Sequence, residues 1–274
     1  MKTSALTLSI LCVLGAFAYA GPEPYSGKDM KQVMPMAPEC PNWTGFYVGG
    51  FAGYKFASAD VDLDLFGSWD GTTLPFDPLR DPFDKNVLEP LGSRDLDTSG
   101  FEAGGILGYN YQLNNKWVLG VEASAAHLWV DDAHNTGPFS PAGSISTYNN
   151  LHTSFEMNYL ATVGGRVGYA FCKWLPYVTG GVAFGDVDFH QQITQGDIFF
   201  NEGGSNHDTQ IGWMVGGGLQ YSIADHWSVR AQYQYADLGS VGFDSVGDTD
   251  PEYLGRHEID VKVHNASVAV IFGF

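Results

Sequence analysis

Alternation dominates this chain. Between 210 and 237, Ile211, Trp213, Val215, Gly217, Leu219 and Tyr221 fall on one side of a period-two pattern, and Gln210, Gly212, Met214, Gly216, Gly218 and Gln220 on the other. After a polar break at Ala224, Asp225 and His226 the pattern resumes, with Trp227, Val229, Ala231, Tyr233 and Tyr235 against Ser228, Arg230, Gln232 and Gln234. Each segment reads as a strand with one apolar, aromatic-ended face and one polar or glycine face. A soluble sheet would cover the apolar face with a second protein layer, but segments of helical period are scarce. Hydrocarbon is the more economical cover.

The same pattern predicts eight strands, over 44–59, 101–113, 117–130, 155–171, 176–189, 210–223, 227–238 and 263–274. Short breaks alternate with long connections at 60–100, 131–154, 190–209 and 239–262, which are acidic, polar or rich in Gly and Pro. The expected architecture is an all-β, eight-stranded antiparallel up-and-down transmembrane β-barrel with short periplasmic turns and long extracellular loops. Trp213 and Tyr221 are eight steps apart, which is about 26 Å along a strand and roughly 20 Å along the membrane normal at a 40° tilt. That is close to the apolar band of such barrels, about 25 Å tall. Trp117, Trp129, Trp213, Tyr221, Trp227 and Tyr235 then belong to the interfacial aromatic girdles, with Phe155 at the outer one.

With the aromatic face outward, parity sends Glu102, Glu122, Glu156, Arg166 and Arg230 into the lumen, and Lys55 as well, near the outer end of strand one. None lands on the lipid face, where a charge at mid-bilayer costs about 2–4 kcal/mol. Eight strands leave an interior only wide enough for side chains to fill. The expected lumen is therefore a polar plug of paired arginine and glutamate, with a narrow channel for small solutes as the alternative.

The start of the chain adds the compartment. Residues 1–20 carry Lys2, an apolar run and Ala18-Tyr19-Ala20, the form of a cleaved secretory signal. Residues 21–42 are Pro-rich and read as a periplasmic lead-in, leaving 43–274 for the barrel. The expected location is the outer membrane of a Gram-negative-type cell. A formal charge of −18 argues against nucleic acid and anionic lipid as partners and fits solvent-facing loops. Cys40 precedes the first strand and Cys172 lies in a periplasmic turn, so both face one compartment where a disulfide is permitted.

Candidate chemistry is thin. Asp60, Asp62 and Asp64, and the pair Asp131-Asp132, lack the glycine and terminal glutamate of a calcium loop. They read as solvated acidic loops, and no metal or cofactor site is expected. His127, His134, His152, His190 and His207 lie near the outer connections, where a rim-acting enzyme would keep its residues. No local spacing joins a nucleophile, a base and an orienting group, so no catalytic residue is assigned.

Several segments carry a resemblance: Trp43 to Gly50 (WTGFYVGG) with Gly53-Tyr54, Val163 to Tyr169 (VGGRVGY), Trp227 to Tyr235 (WSVRAQYQY) and the final Phe272-Gly273-Phe274. Over about 43–274 the chain resembles the small eight-stranded outer-membrane barrels of the OmpA-like, opacity-protein and Omp25/Omp31 surface-antigen group. The resemblance implies the fold, and that Phe274 is an assembly signal read by the barrel-assembly machinery; its members include structural, adhesive, haem-binding and weakly porin-like barrels. With no catalytic set assigned, the expectation is a monomeric, non-catalytic barrel with a structural or surface-interaction role. Outer-membrane lipid, lipopolysaccharide bridged to the acidic loops by divalent cations, and an extracellular ligand for the long loops are the expected partners.

Overall fold

A computed structural model of the chain describes residues 40–71, 77, 81–140, 149–195 and 200–274. The expected signal and most of the lead-in lie outside these residues. Eight strands follow in order: β1 (Gly45–Gly67), β2 (Arg94–Gln112), β3 (Trp117–Asn135), β4 (Asn149–Tyr169), β5 (Trp174–Gln195), β6 (Phe200–Ser222), β7 (Trp227–Val246) and β8 (Tyr253–Gly273). Each pairs antiparallel with the next and β8 closes on β1, giving an up-and-down barrel. The three turns at the N-terminal end of the barrel, after β2, β4 and β6, are four residues each. Two of them place a non-glycine residue at positive φ, Lys116 at 70° and Cys172 at 53°.

The strands are far longer than the pattern of apolar faces predicts. They run from 19 to 23 residues, whereas a tilted strand crosses a bilayer in about 9–11. The surplus lies at the outer end and takes up most of the expected loops, so that six residues join β7 to β8 and four join β5 to β6. The reason is visible on β1. Phe46, Val48, Tyr54 and Phe56 point outward and are exposed, as lipid-facing residues are. Beyond Phe56 the alternation continues without a break, but its chemistry inverts: Ala57, Ala59, Val61, Leu63 and Leu65 are buried inside, while Asp62 and Asp64 are exposed. β8 does the same, with Ile259, Val261 and Val263 inside and Val268 and Val270 outside. Where the surroundings change from hydrocarbon to water, the apolar face moves from the outer wall to the interior. That inversion marks the outer boundary of the membrane.

The upper barrel is also a different object. The β2–β3 ladder stops at Phe101 and Trp129, and the β6–β7 ladder at Trp213 and Asp237. Above those points β7-β8-β1-β2 and β3-β4-β5-β6 continue as two four-stranded sheets. Between them lies one apolar core to which all eight strands contribute, including Val61, Leu96, Leu128, Phe155, Phe189, Met214, Leu238 and Ile259. Burying side chains of this kind contributes about 1.5–3 kcal/mol each. Asn206 Nδ2 donates to the Gly242 carbonyl at 3.0 Å and Asn201 pairs with Asp248, so side chains and loop backbone cross the seam that the β6–β7 ladder leaves. Gly212 sits where these strands part, and a Cβ there would meet the Asp237 carbonyl oxygen at 1.8 Å.

Three register shifts lie at this same height, one of them on β3 between His127 and Val130 against β4, and the inward parity changes along β4 and β7. β4 gains a residue between Glu156 and Leu160, and β7 one between Asp237 and Ser240, where Gly239 adopts φ 70°. Below the β4 bulge Leu160, Thr162 and Arg166 point in; above it Phe155 and Met157 do. This corrects two expectations. Phe155 is fully buried in the upper core, not part of the outer girdle, and Glu156 is exposed on the outer wall, not in the lumen. A one-residue insertion moves every side chain beyond it to the opposite face.

The connection expected to be a long loop over 60–100 holds a short 3-10 turn, η1 (Ser68–Asp70), and a helix, α1 (Asp81–Gly92). Asp81, Asp84 and Leu88 are fully buried against the top of the sandwich, and Leu88 packs with Leu63, Leu65, Trp69, Leu151, Ile193 and Tyr253. Tyr253 donates to Asp81 Oδ2 at 2.7 Å and Gln195 Nε2 to Asp84 Oδ2 at 2.8 Å. The sequence hides this helix because two of the residues on its buried face are carboxylates, which a hydropathy pattern puts outside.

Candidate functional site: lumen and outer wall

Five of the six charged residues assigned to the lumen are there, Glu156 being the exception. Glu122 is clamped by two cations, with Arg230 Nη1 at 2.6 Å and Arg166 Nη1 at 3.2 Å from Oε2. The strands explain the meeting: Glu122 comes from β3, Arg166 from β4 and Arg230 from β7, all inward and all near the inner end of the barrel. Tyr47 donates to Glu122 at 2.7 Å, and Gln220 accepts from Arg230 at 3.1 Å. Two guanidiniums share one carboxylate, and the faces of Tyr177 and Tyr47 take part of the excess positive charge. The Arg166 Cζ lies 3.9 Å from the Tyr177 centroid, and that of Arg230 5.5 Å from Tyr47. Glu102 is separate from this cluster. It faces Lys55 at 3.0 Å higher in the barrel, and both are buried. A small cavity between the two layers is lined by Phe51, Ile106, Ser124, Arg230, Gln232 and Ser267, among others.

The periplasmic end is tied by a disulfide between Cys40 and Cys172, whose Cα atoms are 4.5 Å apart across 132 residues of sequence. Beside it the Trp43 indole donates to the Cys172 carbonyl at 3.2 Å and packs on Val118, Ala170 and Leu175. Trp117, Trp129, Trp213 and Trp227 are exposed on the outer wall. Tyr221 and Tyr235 are half-buried, against Trp174 and Trp213 respectively. Phe274 is exposed and donates its backbone N–H to Phe46.

The histidines do not gather. His127 lies edge-on to Trp129 on the outer wall, and His152 faces His190 with centroids 5.8 Å apart. Asp60, Asp62 and Asp64 lie outward on β1, with Asp60 paired to Lys262 at 2.9 Å. His207 is different. It stands against Asp188 in direct contact and 3.7 Å from Asp186, and these carboxylates hold its imidazole above the usual histidine range.

A second constellation escaped the sequence reading. Inside the upper barrel, Ser245 Oγ is 2.7 Å from His257 Nε2 and 3.1 Å from Glu202 Oε1. His257 Nδ1 is 2.7 Å from Gln191 Oε1, and Trp69 Nε1 donates to Glu202 Oε2 at 2.7 Å. All five side chains are buried. Burial pushes the Glu202 carboxyl up to about 7 and the His257 imidazole down to about 4. The only signal was the inward parity that His257 shares with Ile259 and Val261. It has no meaning until the strand is known to continue so far.

Comparison with known proteins agrees with this architecture. A family profile described as an outer membrane protein beta-barrel domain matches residues 33–274. The 31 kDa outer-membrane immunogenic protein of Brucella melitensis is 30% identical over 238 residues, covering 85% of this chain and 84% of its own. The 25 kDa outer-membrane immunogenic protein of Brucella abortus is 21% identical over 263 residues, covering 96% and 97%. Among solved structures, the attachment invasion locus protein of Yersinia pestis, Ail, aligns over 82% of this chain and 99% of its own, at 18% identity and a TM-score of 0.34.

Proposed function

The chain belongs to the outer membrane protein β-barrel domain family, and on that premise we propose that it is a non-catalytic barrel with a structural or surface-interaction role, exported by a cleaved signal peptide. The observation that carries this reading is the inversion of facing chemistry along uninterrupted strands. It lifts a folded, acidic-faced sandwich above the bilayer, where it meets solvent and external partners. The Brucella relatives are called outer-membrane immunogenic proteins, and location in the outer membrane is the property carried over.

A closed lumen is supported by three features: the Glu122, Arg166 and Arg230 cluster, the apolar core above it, and α1 across the top. The non-catalytic reading is supported by the burial of Ser245 and His257 among the described residues. Lipopolysaccharide, the barrel-assembly machinery acting on Phe274, and an external ligand remain the proposed partners of a monomer.

The test is recording from the purified barrel in planar bilayers, where no steady conductance is expected. Steady openings whose size changes in Arg166→Ala or Arg230→Ala would replace this reading with a narrow channel. Capture of a partner by protein with an intact outer half, lost when α1 is deleted, would identify the interacting surface.

A further inference from the structure

We propose that Asp186, Asp188 and His207 form a binding site for one divalent transition-metal ion of the zinc class, on the outer wall of the barrel just above the membrane. The site goes beyond the surface role proposed above and stands on its own geometry.

Asp186 and Asp188 are two residues apart on β5 and so share a face, while His207 of β6 is the register partner of Asp188. One carboxylate oxygen from each aspartate and one imidazole nitrogen lie within 4.8 Å of one another. Two positions on one strand and one on its neighbour therefore converge on a single point outside the sheet. The height is fixed by the same strands: Ile211 and Trp213, just below on β6, are lipid-exposed.

Asp186 gives the second, independent observation. Its side chain is nine-tenths buried, yet its carboxylate makes no hydrogen bond among the described residues. Its one countercharge is the exposed His207 imidazole, 3.7 Å away and beyond hydrogen-bond reach. Thr209, its register partner, has its hydroxyl engaged with Tyr159 at 3.1 Å. The exposed tenth includes its carboxylate oxygens, which are not among the fully buried unpartnered atoms and so stay open to a ligand arriving from outside. A cation held between Asp186, Asp188 and His207 supplies what the protein does not.

The surroundings strengthen the field. Because of the β4 bulge, Glu156 stands on the outer wall as the register partner of Asp188. No lysine or arginine pairs with Glu156, Asp186 or Asp188 among the described residues. The donor set decides the ion: calcium and magnesium prefer oxygen alone, whereas mixed imidazole and carboxylate suits zinc and its neighbours. Three protein donors leave at least one coordination position open, facing away from the barrel.

The experiment is zinc titration of the full-length, chelator-stripped protein in detergent micelles, followed by calorimetry, with folding of every variant checked by heat-modifiable gel mobility. One equivalent is expected, with affinity at least about tenfold lower in Asp186→Asn and in His207→Ala and unchanged in His127→Ala. Calcium is expected to compete poorly. No zinc uptake at millimolar concentration would overturn the site. So would uptake that persists in both variants, which would place the ion elsewhere on the acidic surface. Equal competition by calcium would overturn the assignment to the zinc class.

Discussion

The hydroxyl of Ser245 lies 2.7 Å from Nε2 of His257, with both groups sealed inside the upper barrel. The proton inventory of this contact is constrained. Gln191 spends its amide N–H groups on Gly92 and Thr153, so its oxygen faces His257 and Nδ1 must carry a proton. Ser245 has one hydrogen to place between His257 Nε2 and Glu202 Oε1. The set is satisfied only when Glu202 and His257 hold one further proton between them, and burial places it on Glu202.

This gives a pH prediction with opposing signs. Glu202, raised to about 7, contributes stability that is full below its unfolded value and is lost as pH rises to about 7. His257, lowered to about 4, contributes stability that is full above its unfolded value and is lost as pH falls to about 4. Each is worth about 3 kcal/mol at most, and across mildly acidic pH the slopes cancel. Urea midpoints of the native protein should be flat there. Glu202→Gln should show stability rising with pH, and His257→Asn stability falling. A wild-type slope as steep as either variant's would refute the shared proton.

Among the described residues, Glu122 is the one carboxylate paired with the two buried guanidiniums of Arg166 and Arg230. Replacing it with glutamine leaves Arg166 and Arg230 facing each other uncompensated, which is expected to destabilise the barrel by about 3–5 kcal/mol. Equilibrium unfolding in urea with lipid vesicles measures it. A loss below about 1 kcal/mol, the level of an exposed pair, would mean that the cluster is solvated.

The disulfide closes a long loop, from Cys40 to Cys172. By chain entropy its loss in Cys40→Ser should cost up to about 5 kcal/mol. The denatured chain should also migrate differently with and without reductant, and two thiols should become available to alkylation only after reduction.

The inversion of facing chemistry predicts a contrast between two charge substitutions at exposed positions. Val121→Arg, on the lipid face of β3, should cost about 2–4 kcal/mol. Asp62→Arg, outward on β1 but above the boundary, should cost less than about 0.5 kcal/mol. Similar costs at the two sites would show that the outer wall meets a single medium throughout.

Much of this protein is written in its own alternation. The number of strands, the three tight turns, the lipid-facing rings and the inward path of Glu102, Glu122, Arg166 and Arg230 follow from a period of two, because a strand's faces are set by its backbone alone. What lies against each face is not local. Asp60 to Leu65 has the same alternation whether it is an acidic loop or a strand running on into water, and only packing against β8 and β2 decides. The residue inserted into β4 has no signature in the chain, yet it sends Phe155 inside and Glu156 out. The approach of His207 to Asp186 and Asp188 depends on the register between two strands, and the burial of α1 on a surface assembled from distant segments. The sequence determined the periodicity; tertiary structure decided the neighbours, because contacts between strands depend on register and closure, which no single segment encodes.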